Sequence, residues 1–367
     1  MKSNNKMILK LYGDKNNTGG IVNFQNSLTK HCNSSLNEYK HYRTGRKQNS
    51  KFLSNPFIRI IDQLVSYCYY PLYLLLVKPD VVEINSSLVT DAFKRDIIYA
   101  KLTKLIRPKT HLVLFNHGWN YEFKDTMLKQ NRNRLISYFT TFDTIIVLAE
   151  VFKKELREDL SIDQNIVKVI TTGINVLDYE KHLANGNDSE VINVLFLSRI
   201  EETKGVGQLL ASIPTIIEDY PNIHFNIAGT GGYMSELMKS EILTQYSSYI
   251  TLNGYVRGED KLNLLKRSDI FAFPSYYGEG CPVSVLEALA VGLPIVYTKV
   301  GALPDLLEEN INGILIEKEL VSDLTKAILY LAKNKEIRNL ISSNNLFLSK
   351  QFDLQIIHNK LEVIYLN

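Results

Sequence analysis

Short apolar runs separated by longer stretches of helical periodicity recur along the whole chain, and this alternation restricts the fold more than any other feature. Each run is long enough for a strand buried on both faces. Each intervening stretch can supply the crossover helix that parallel neighbours need. The first series places strands at residues 7–12, 81–84, 111–115, 144–148 and 166–170, with helical spacing between several of them, as at 149–159. The polar stretch DYEKHLANGNDSE at 178–190 interrupts the pattern and reads as a linker. A second series follows at once, with strands at 193–197, 224–228, 249–252, 270–273 and 294–297 and helices at 205–219, 260–268, 283–291 and 322–333. In residues 353–366, Leu354, Ile357, Leu361 and Ile364 again stand at helical spacing. No solenoid period is visible. The expected fold class is α/β, with two Rossmann-like doubly wound domains facing a central cleft. Their bounds are residues 1–185 and 190–350, and residues 351–367 form a terminal helix that packs back toward the first domain.

Composition narrows the setting. A chain of 367 residues can bury two cores of ordinary size, and 45% hydrophobic against 22% charged residues argues against long disorder. The three cysteines, Cys32, Cys68 and Cys281, form no CxxC pair. That excludes a disulfide framework and a cysteine-based zinc site, and suits a reducing compartment. Lys10 interrupts an opening apolar run too short for a signal peptide, so a cytoplasmic location is expected. The net charge of +3 is unevenly spread, basic before residue 190 and acidic after it. A basic half suits an anionic membrane surface or a phosphorylated acceptor, as well as ordinary solvation; no nucleic-acid partner is expected. Residues 63–77 carry no charge but fall short of the roughly 20 needed to span a bilayer, and read as a buried or interfacial segment. Residues 92–107 set Phe93, Ile97, Ile98 and Leu102 against Lys94, Arg95, Lys101 and Lys104. Such a basic amphipathic helix can lie on anionic lipid or pack against its own domain.

The stretch richest in chemistry is FPSYYGEGCPVSVLEALAVGLP at 273–294. A strand ends, a glycine-bearing loop follows, and a helix starts near Pro282, where proline suits a first turn. Glu279 lies in the loop, and Glu287 stands eight positions later inside the helix. Unpaired N–H groups at a helix start bind phosphate, and carboxylates accept hydrogen bonds from sugar hydroxyls. Two acids at this spacing also suit a plain solvated helix. Arg199 and Lys204 follow a strand in SRIEETKG, where a guanidinium fork and a point cation can engage phosphate oxygens. Gly19 and Gly20 close DKNNTGG between the first strand and a helix, which permits close backbone approach to a ligand. Their spacing is not GxGxxG, which counts against a dinucleotide-dependent oxidoreductase. His117 follows the 111–115 strand in FNHGW, where strand ends meet a cleft.

The 273–294 segment resembles the Glu-x7-Glu signature of retaining GT-B glycosyltransferases, especially glycosyltransferase family 4 (group 1). The resemblance runs from VLFLSRIEETKG through IAGTGG, LNGYV, SDIFAFPS and VGLPIVYTKVGALPDLL to NGILI. It is looser over NNTGGIVNF, KPDVVEINSS, FNHGW and ITTGIN. It implies an N-terminal acceptor domain and a C-terminal nucleotide-sugar domain. Arg199 and Lys204 would grip the donor diphosphate, Glu279 would face the donor sugar, and Glu287 would accept from the ribose. Backbone N–H groups around Cys281, Val283 and Ser284 would hold sugar hydroxyls and phosphate; Pro282 has none to give. The turn of Gly254, Tyr255 and Val256 would read the base. Gly19 and Gly20 would face the donor phosphates and His117 the transferring sugar, while Glu83, where relatives often carry histidine, receives no role.

The implied reaction moves a hexosyl or N-acetylhexosaminyl group from a nucleotide diphosphate sugar to an acceptor hydroxyl, with retention. The implied acceptor is a glycan or lipid-linked glycan of bacterial surface polysaccharide or lipopolysaccharide synthesis, made at the inner face of the cell membrane. UDP is favoured over GDP, because backbone groups alone satisfy uracil, whereas guanine benefits from a carboxylate and only Glu259 is at hand. No Asp-x-Asp occurs in the chain. The reading is therefore metal-independent and cofactor-free, with Arg199 and Lys204 neutralising the leaving group. Two rivals remain. A sugar-nucleotide epimerase would need acid/base pairs aimed at the ring, and a catalytically silent binding protein on the same fold would not need Arg199, Lys204, Glu279 and Glu287 together.

Overall fold

Two six-stranded sheets, every strand pairing parallel to its neighbour, form the framework of the computed structural model. The structure describes residues 5–16, 19–32, 37–44, 56–180, 190–278 and 280–366. It divides into unit 1, Met1–Gly173 with Leu354–Asn367, and unit 2, Ile174–Asp353. The first division falls ahead of the 178–190 stretch; Leu177–Glu180 there is helical, and 181–189 lie outside the described residues.

Unit 1 runs β1 (Lys6–Tyr12), α1 (Gly20–His31), β2 (Asn37–Arg43), α2 (Pro56–Val77), β3 (Val81–Leu88), α3 (Thr90–Ile106), β4 (His111–Trp119), α4 (Tyr121–Phe139), β5 (Thr144–Val147), α5 (Glu150–Leu160) and β6 (Val167–Val169). The strand order is β2-β1-β3-β4-β5-β6. Apolar runs such as Ile145–Val147 and Leu112–Phe115 are fully buried, as parallel strands covered on both faces require. Three expectations need correction. β2 is a strand that the apolar pattern does not announce, β4 continues through His117 to Trp119, and residues 63–77 belong to a helix of 22 residues that starts at Pro56.

Unit 2 runs α6 (Leu177–Glu180), β7 (Ile192–Leu197), α7 (Val206–Asp219), β8 (Ile223–Ala228), α8 (Met234–Leu237), α9 (Glu241–Gln245), β9 (Ile250–Gly254), α10 (Gly258–Lys266), β10 (Ile270–Phe273), α11 (Val283–Ala290), β11 (Ile295–Thr298), α12 (Leu303–Leu306), β12 (Gly313–Ile316), α13 (Val321–Lys333) and α14 (Lys335–Ser349). The order is β12-β11-β10-β7-β8-β9. Val194 and Phe196, Phe225, and Ile270 and Ala272 meet Ile213 and Ile328 in a core closed to solvent. Each large side chain buried there contributes about 1.5–3 kcal/mol relative to exposure. The chain winds outward from β7 through β8 and β9, then returns to β10 beside β7 and winds the other way. In such a sheet ligands bind beyond the carboxyl ends of the strands at this reversal. The final helix, α15 (Leu354–Leu366), belongs to unit 1 and buries Leu354, Ile357, Leu361 and Tyr365.

Candidate functional site

β7 and β10 lie side by side with Val194 opposite Ile270 and Leu195 opposite Phe271, so their chains leave the sheet at one edge. Beyond β7 come Arg199, which is exposed, and a 3-10 turn, Glu202–Lys204, in which Lys204 is only 7% exposed. Gly205 then takes a left-handed φ of 78° before α7 starts, and a Cβ there would lie 2.2 Å from the Pro274 carbonyl oxygen beyond β10. Glycine is therefore what lets the two loops touch. The contact is bonded as well as packed: the Tyr276 N–H donates to the Thr203 carbonyl at 3.0 Å, and the Ser275 hydroxyl reaches the same oxygen at 3.3 Å. From the other side, Ile200 N–H donates to the Thr230 carbonyl at 3.0 Å, and the Ile200 carbonyl accepts from Tyr233 N–H at 2.9 Å, clasping the Arg199 loop against the turn after β8. Both cations thus stand on a loop fixed to its neighbours.

The β10 loop leads into α11. Pro282 is the cap residue before the helix, not a first-turn residue as expected, and Val283 is the first helical position. The helix ladder begins with Val285 N–H donating to the Pro282 carbonyl at 3.0 Å. The N–H groups of Val283 and Ser284 precede that ladder and lack acceptors within the helix. Cys281 is buried, Ser284 half-buried and Val283 36% exposed. Glu279 lies outside the described residues. Glu287 is 4% exposed, one turn into α11. Its Oε1 accepts from the Tyr179 hydroxyl of α6 at 2.8 Å and from the Lys261 ammonium of α10. Burial first, and the Glu287 charge second, raise the Tyr179 phenol well above its ordinary range, so it stays a donor. Sequence reasoning missed both partners, because neither sits within a stretch that carries the resemblance.

At the end of β9, the Gly254 carbonyl accepts from Gly229 N–H at 2.7 Å, and Tyr255 and Val256 follow, the first 66% exposed and the second half-buried. Glu259 is exposed in the first turn of α10, the helix that carries Lys261. Unit 2 therefore gathers Arg199, Lys204, Val283, Ser284 and Glu287 around the carboxyl ends of β7 and β10. Tyr255 and Val256 stand two strands along on the same parallel sheet.

In unit 1, Gly19 caps α1 and Gly20 is its first residue, and a Cβ on either would meet no atom within 4 Å. Packing alone does not demand glycine at these two positions. His117, placed after a strand by the sequence reading, sits inside β4, half-buried, its ring stacked on Phe115 with centroids 4.0 Å apart. Its Nε2 lies 2.8 Å from Asn85 Oδ1. Asn85 Nδ2 donates to Glu83 at 2.9 Å, and Gln25 Nε2 donates to the same Asn85 Oδ1 at 2.6 Å. That oxygen is an acceptor throughout, which assigns the His117 hydrogen to Nε2 and leaves Nδ1 with a lone pair. Burial, then the Lys10 charge, pushes the imidazole down to about 3. His117 is thus neutral at physiological pH. Glu83, left without a role by the sequence reading, is fully buried at the centre of this network, with Lys10 at 3.8 Å and the Tyr365 hydroxyl of α15 bonded to it.

Residues 192–334 match one family model, described as glycosyl transferases group 1. The match covers every candidate residue of unit 2 at the β7, β9 and β10 ends. Among curated relatives, a Methanocaldococcus jannaschii glycosyltransferase of uncharacterised role is 27% identical over 191 residues, 49% of this chain and 48% of its own. One component of the human phosphatidylinositol N-acetylglucosaminyltransferase is 30% identical over 192 residues, 51% of this chain and 38% of its own. The chain spans about half the length of the curated relatives it matches first, between 38% and 56%. Among solved structures, the Anabaena protein HepE in complex with UDP aligns with a TM-score of 0.75 at 16% identity, covering 98% of this chain and 99% of its own. That likeness shows the fold. The GT-B fold class expected from the sequence is present, and the group 1 match lies in its second doubly wound unit.

Proposed function

We propose that the protein is a retaining, metal-independent glycosyltransferase that moves a sugar from a UDP-sugar to an acceptor hydroxyl. The observation that carries this reading is the fixed convergence of Arg199 and Lys204 with the start of α11 and the buried Glu287 carboxylate at the reversal point of unit 2. Arg199 and Lys204 engage the donor diphosphate, helped by the N–H groups of Val283 and Ser284. Glu287, its Oε1 already taken by Tyr179 and Lys261, offers Oε2 to the ribose hydroxyls. Tyr255 and Val256 meet the base through their main chain, and Glu279 faces the sugar. In unit 1, neutral His117 can accept a hydroxyl's hydrogen at Nδ1.

Chemically, the bond from the anomeric carbon to the diphosphate oxygen breaks, and the electron pair leaves with the diphosphate. The acceptor oxygen bonds to the same face of that carbon, and its proton passes to the departing diphosphate oxygen. The protein stabilises the developing negative charge with fixed cations and holds both substrates in place. UDP is favoured because the base-reading turn offers backbone, with Glu259 as its neighbouring acid; HepE, which shares the fold, was solved with UDP. A lipid-linked or polysaccharide acceptor at the cytoplasmic face of a membrane is favoured by the basic first half of the chain. The human relative's name, which contains phosphatidylinositol, points the same way.

The test is donor hydrolysis and transfer by the purified protein across a panel of UDP- and GDP-sugars, with the product anomer read by NMR. Turnover of a UDP-sugar with retained configuration is expected. Inversion, or epimerised donor without transfer, would overturn the reading.

A further inference from the structure

The longest described helix of unit 1 carries its apolar side outward. Along α2, nine large apolar side chains between Phe57 and Leu76 are 48% to 75% exposed, among them Ile61, Leu64, Leu72 and Leu75. They recur at three- and four-residue steps and so form one stripe along the helix. The opposite side is tied down. Tyr70 and Leu74 are fully buried, Asp62 pairs with Arg43 of β2 at 3.0 Å, and Gln63 and Ser66 bond the Tyr99 hydroxyl of α3 at 3.0 and 2.8 Å.

Phe57–Val77 is long and apolar enough to cross a membrane by length and composition, with a mean hydropathy of 1.4 over its most apolar window. Crossing would carry Asp62, Gln63 and Ser66 into hydrocarbon and strip them of these partners, which is costly. Lying in the plane of the interface buries only the outward stripe and leaves every inward bond intact. The surrounding charge favours one kind of surface. The only acid of α2, Asp62, is paired with Arg43, whereas Arg59 is a cation of the helix and Lys78 lies just past its end. On α3, packed against α2, Lys94 and Lys101 are exposed seven residues apart, hence on one side.

We infer that unit 1 docks on an anionic lipid leaflet through α2 lying in the interface, with Lys94 and Lys101 of α3 contributing to a cationic rim. In this arrangement α2, which contains the 63–77 segment read from the sequence as buried or interfacial, supplies the apolar contact, and the basic helix at 92–107 supplies the rim. The inference stands independently of the donor site, and hydrolysis of a soluble UDP-sugar reads that site separately.

Cys68 lies in α2 and is exposed, while Cys32 and Cys281 are buried, so a polarity-sensitive maleimide dye can label the helix selectively. The full chain is mixed with vesicles of phosphatidylcholine alone or blended with phosphatidylglycerol, then examined by dye emission and by sedimentation. A blue shift and pelleting are expected with the anionic blend, weakening as salt rises. Combined Ile61→Gln, Leu64→Gln and Leu72→Gln changes should lower vesicle affinity by about tenfold or more with Tm unchanged. Lys94→Glu with Lys101→Glu should abolish the preference for the anionic blend. Wild-type pelleting by the glutamine variant would overturn the proposal. So would a dimer that the glutamine variant dissolves, which would give the stripe to a second copy. Retention on vesicles after alkaline carbonate extraction would mark a spanning helix and overturn it equally.

Discussion

Tyr179 donates its hydroxyl hydrogen to Glu287 Oε1 across 2.8 Å, and the Lys261 ammonium reaches the same oxygen from α10. A buried carboxylate held from two sides has one orientation. Whatever binds its second oxygen meets a preset acceptor rather than a swivelling one.

The Tyr179→Phe variant should therefore weaken donor binding more than it slows chemistry. A hydrogen bond to a charged group is worth about 1.5–3 kcal/mol, of which part is recovered by relaxation. Donor KM is expected to rise about tenfold, equivalent to about 1.4 kcal/mol, with kcat much less affected. Lys261→Met removes the cation from a buried carboxylate and should also cost about 3 kcal/mol of stability in urea unfolding. An unchanged KM in both variants would detach Glu287 from the ribose.

Arg199→Ala and Lys204→Ala should each lower kcat by roughly a hundredfold, the usual loss when one preorganised charge-stabilising group is removed. Lys204 is buried, so Lys204→Met, which keeps most of its volume, separates charge from packing. Full activity in the folded alanine variants would end the diphosphate assignment.

Gly205→Ala should disturb both loops at once. The new Cβ would demand a left-handed backbone at φ 78° and collide with the Pro274 carbonyl; strain of this kind costs about 1–3 kcal/mol. Calorimetry should show Tm falling by several degrees, and turnover should fall further, because Lys204 is the adjacent residue. A Tm equal to wild type would mean that the loops are not locked as described.

His117 gives the protein a dependence on pH. Its folded pKa of about 3 lies below the ordinary 6.5, so on acidification the unfolded chain takes up the proton first. The contribution from neutral His117 is complete above pH 6.5 and is lost as pH falls from there toward 3. Burial also lowers His41, His111, His224 and His358, and these act in the same direction. Urea midpoints measured between about pH 7.5 and 5 should therefore decline, and less steeply for His117→Gln. Proton NMR that found His117 titrating near its ordinary value would contradict the buried network.

Turnover should persist in EDTA if Arg199 and Lys204 neutralise the diphosphate. Loss of activity on chelation, restored by manganese or magnesium, would transfer that role to a metal.

The sequence announces unit 2 more clearly than unit 1, for a physical reason. Strands such as β7 and β10 are covered on both faces and consist almost wholly of apolar residues, so their bounds could be read to within about a residue. β2 is an edge strand, NEYKHYR, with one neighbour, β1, and too few apolar residues to form a run. Most of the buried network of Lys10, Gln25, Glu83, Asn85, His117 and Tyr365 escaped for another reason. Its members are scattered along the chain and meet only when β1, β3, β4, α1 and α15 assemble. Lys10, read as an interruption of an apolar run, is one of its anchors. The donor-site cations and Glu287 were legible as motif positions, but the Tyr179 and Lys261 contacts to Glu287 are tertiary.

Because α15 completes unit 1 only after the whole of unit 2 has been strung between, the order of synthesis and the order of assembly cannot coincide. On a ribosome, β1 and β3 emerge early, yet Glu83 must wait for Tyr365, translated 282 residues later, to receive its phenolic hydrogen. Unit 2 is continuous and can close on its own before that moment. The nascent first unit spends that interval without the helix that packs on β1 and α1, and with a carboxylate lacking one of its donors. It is the later half of the translation product that can mature first.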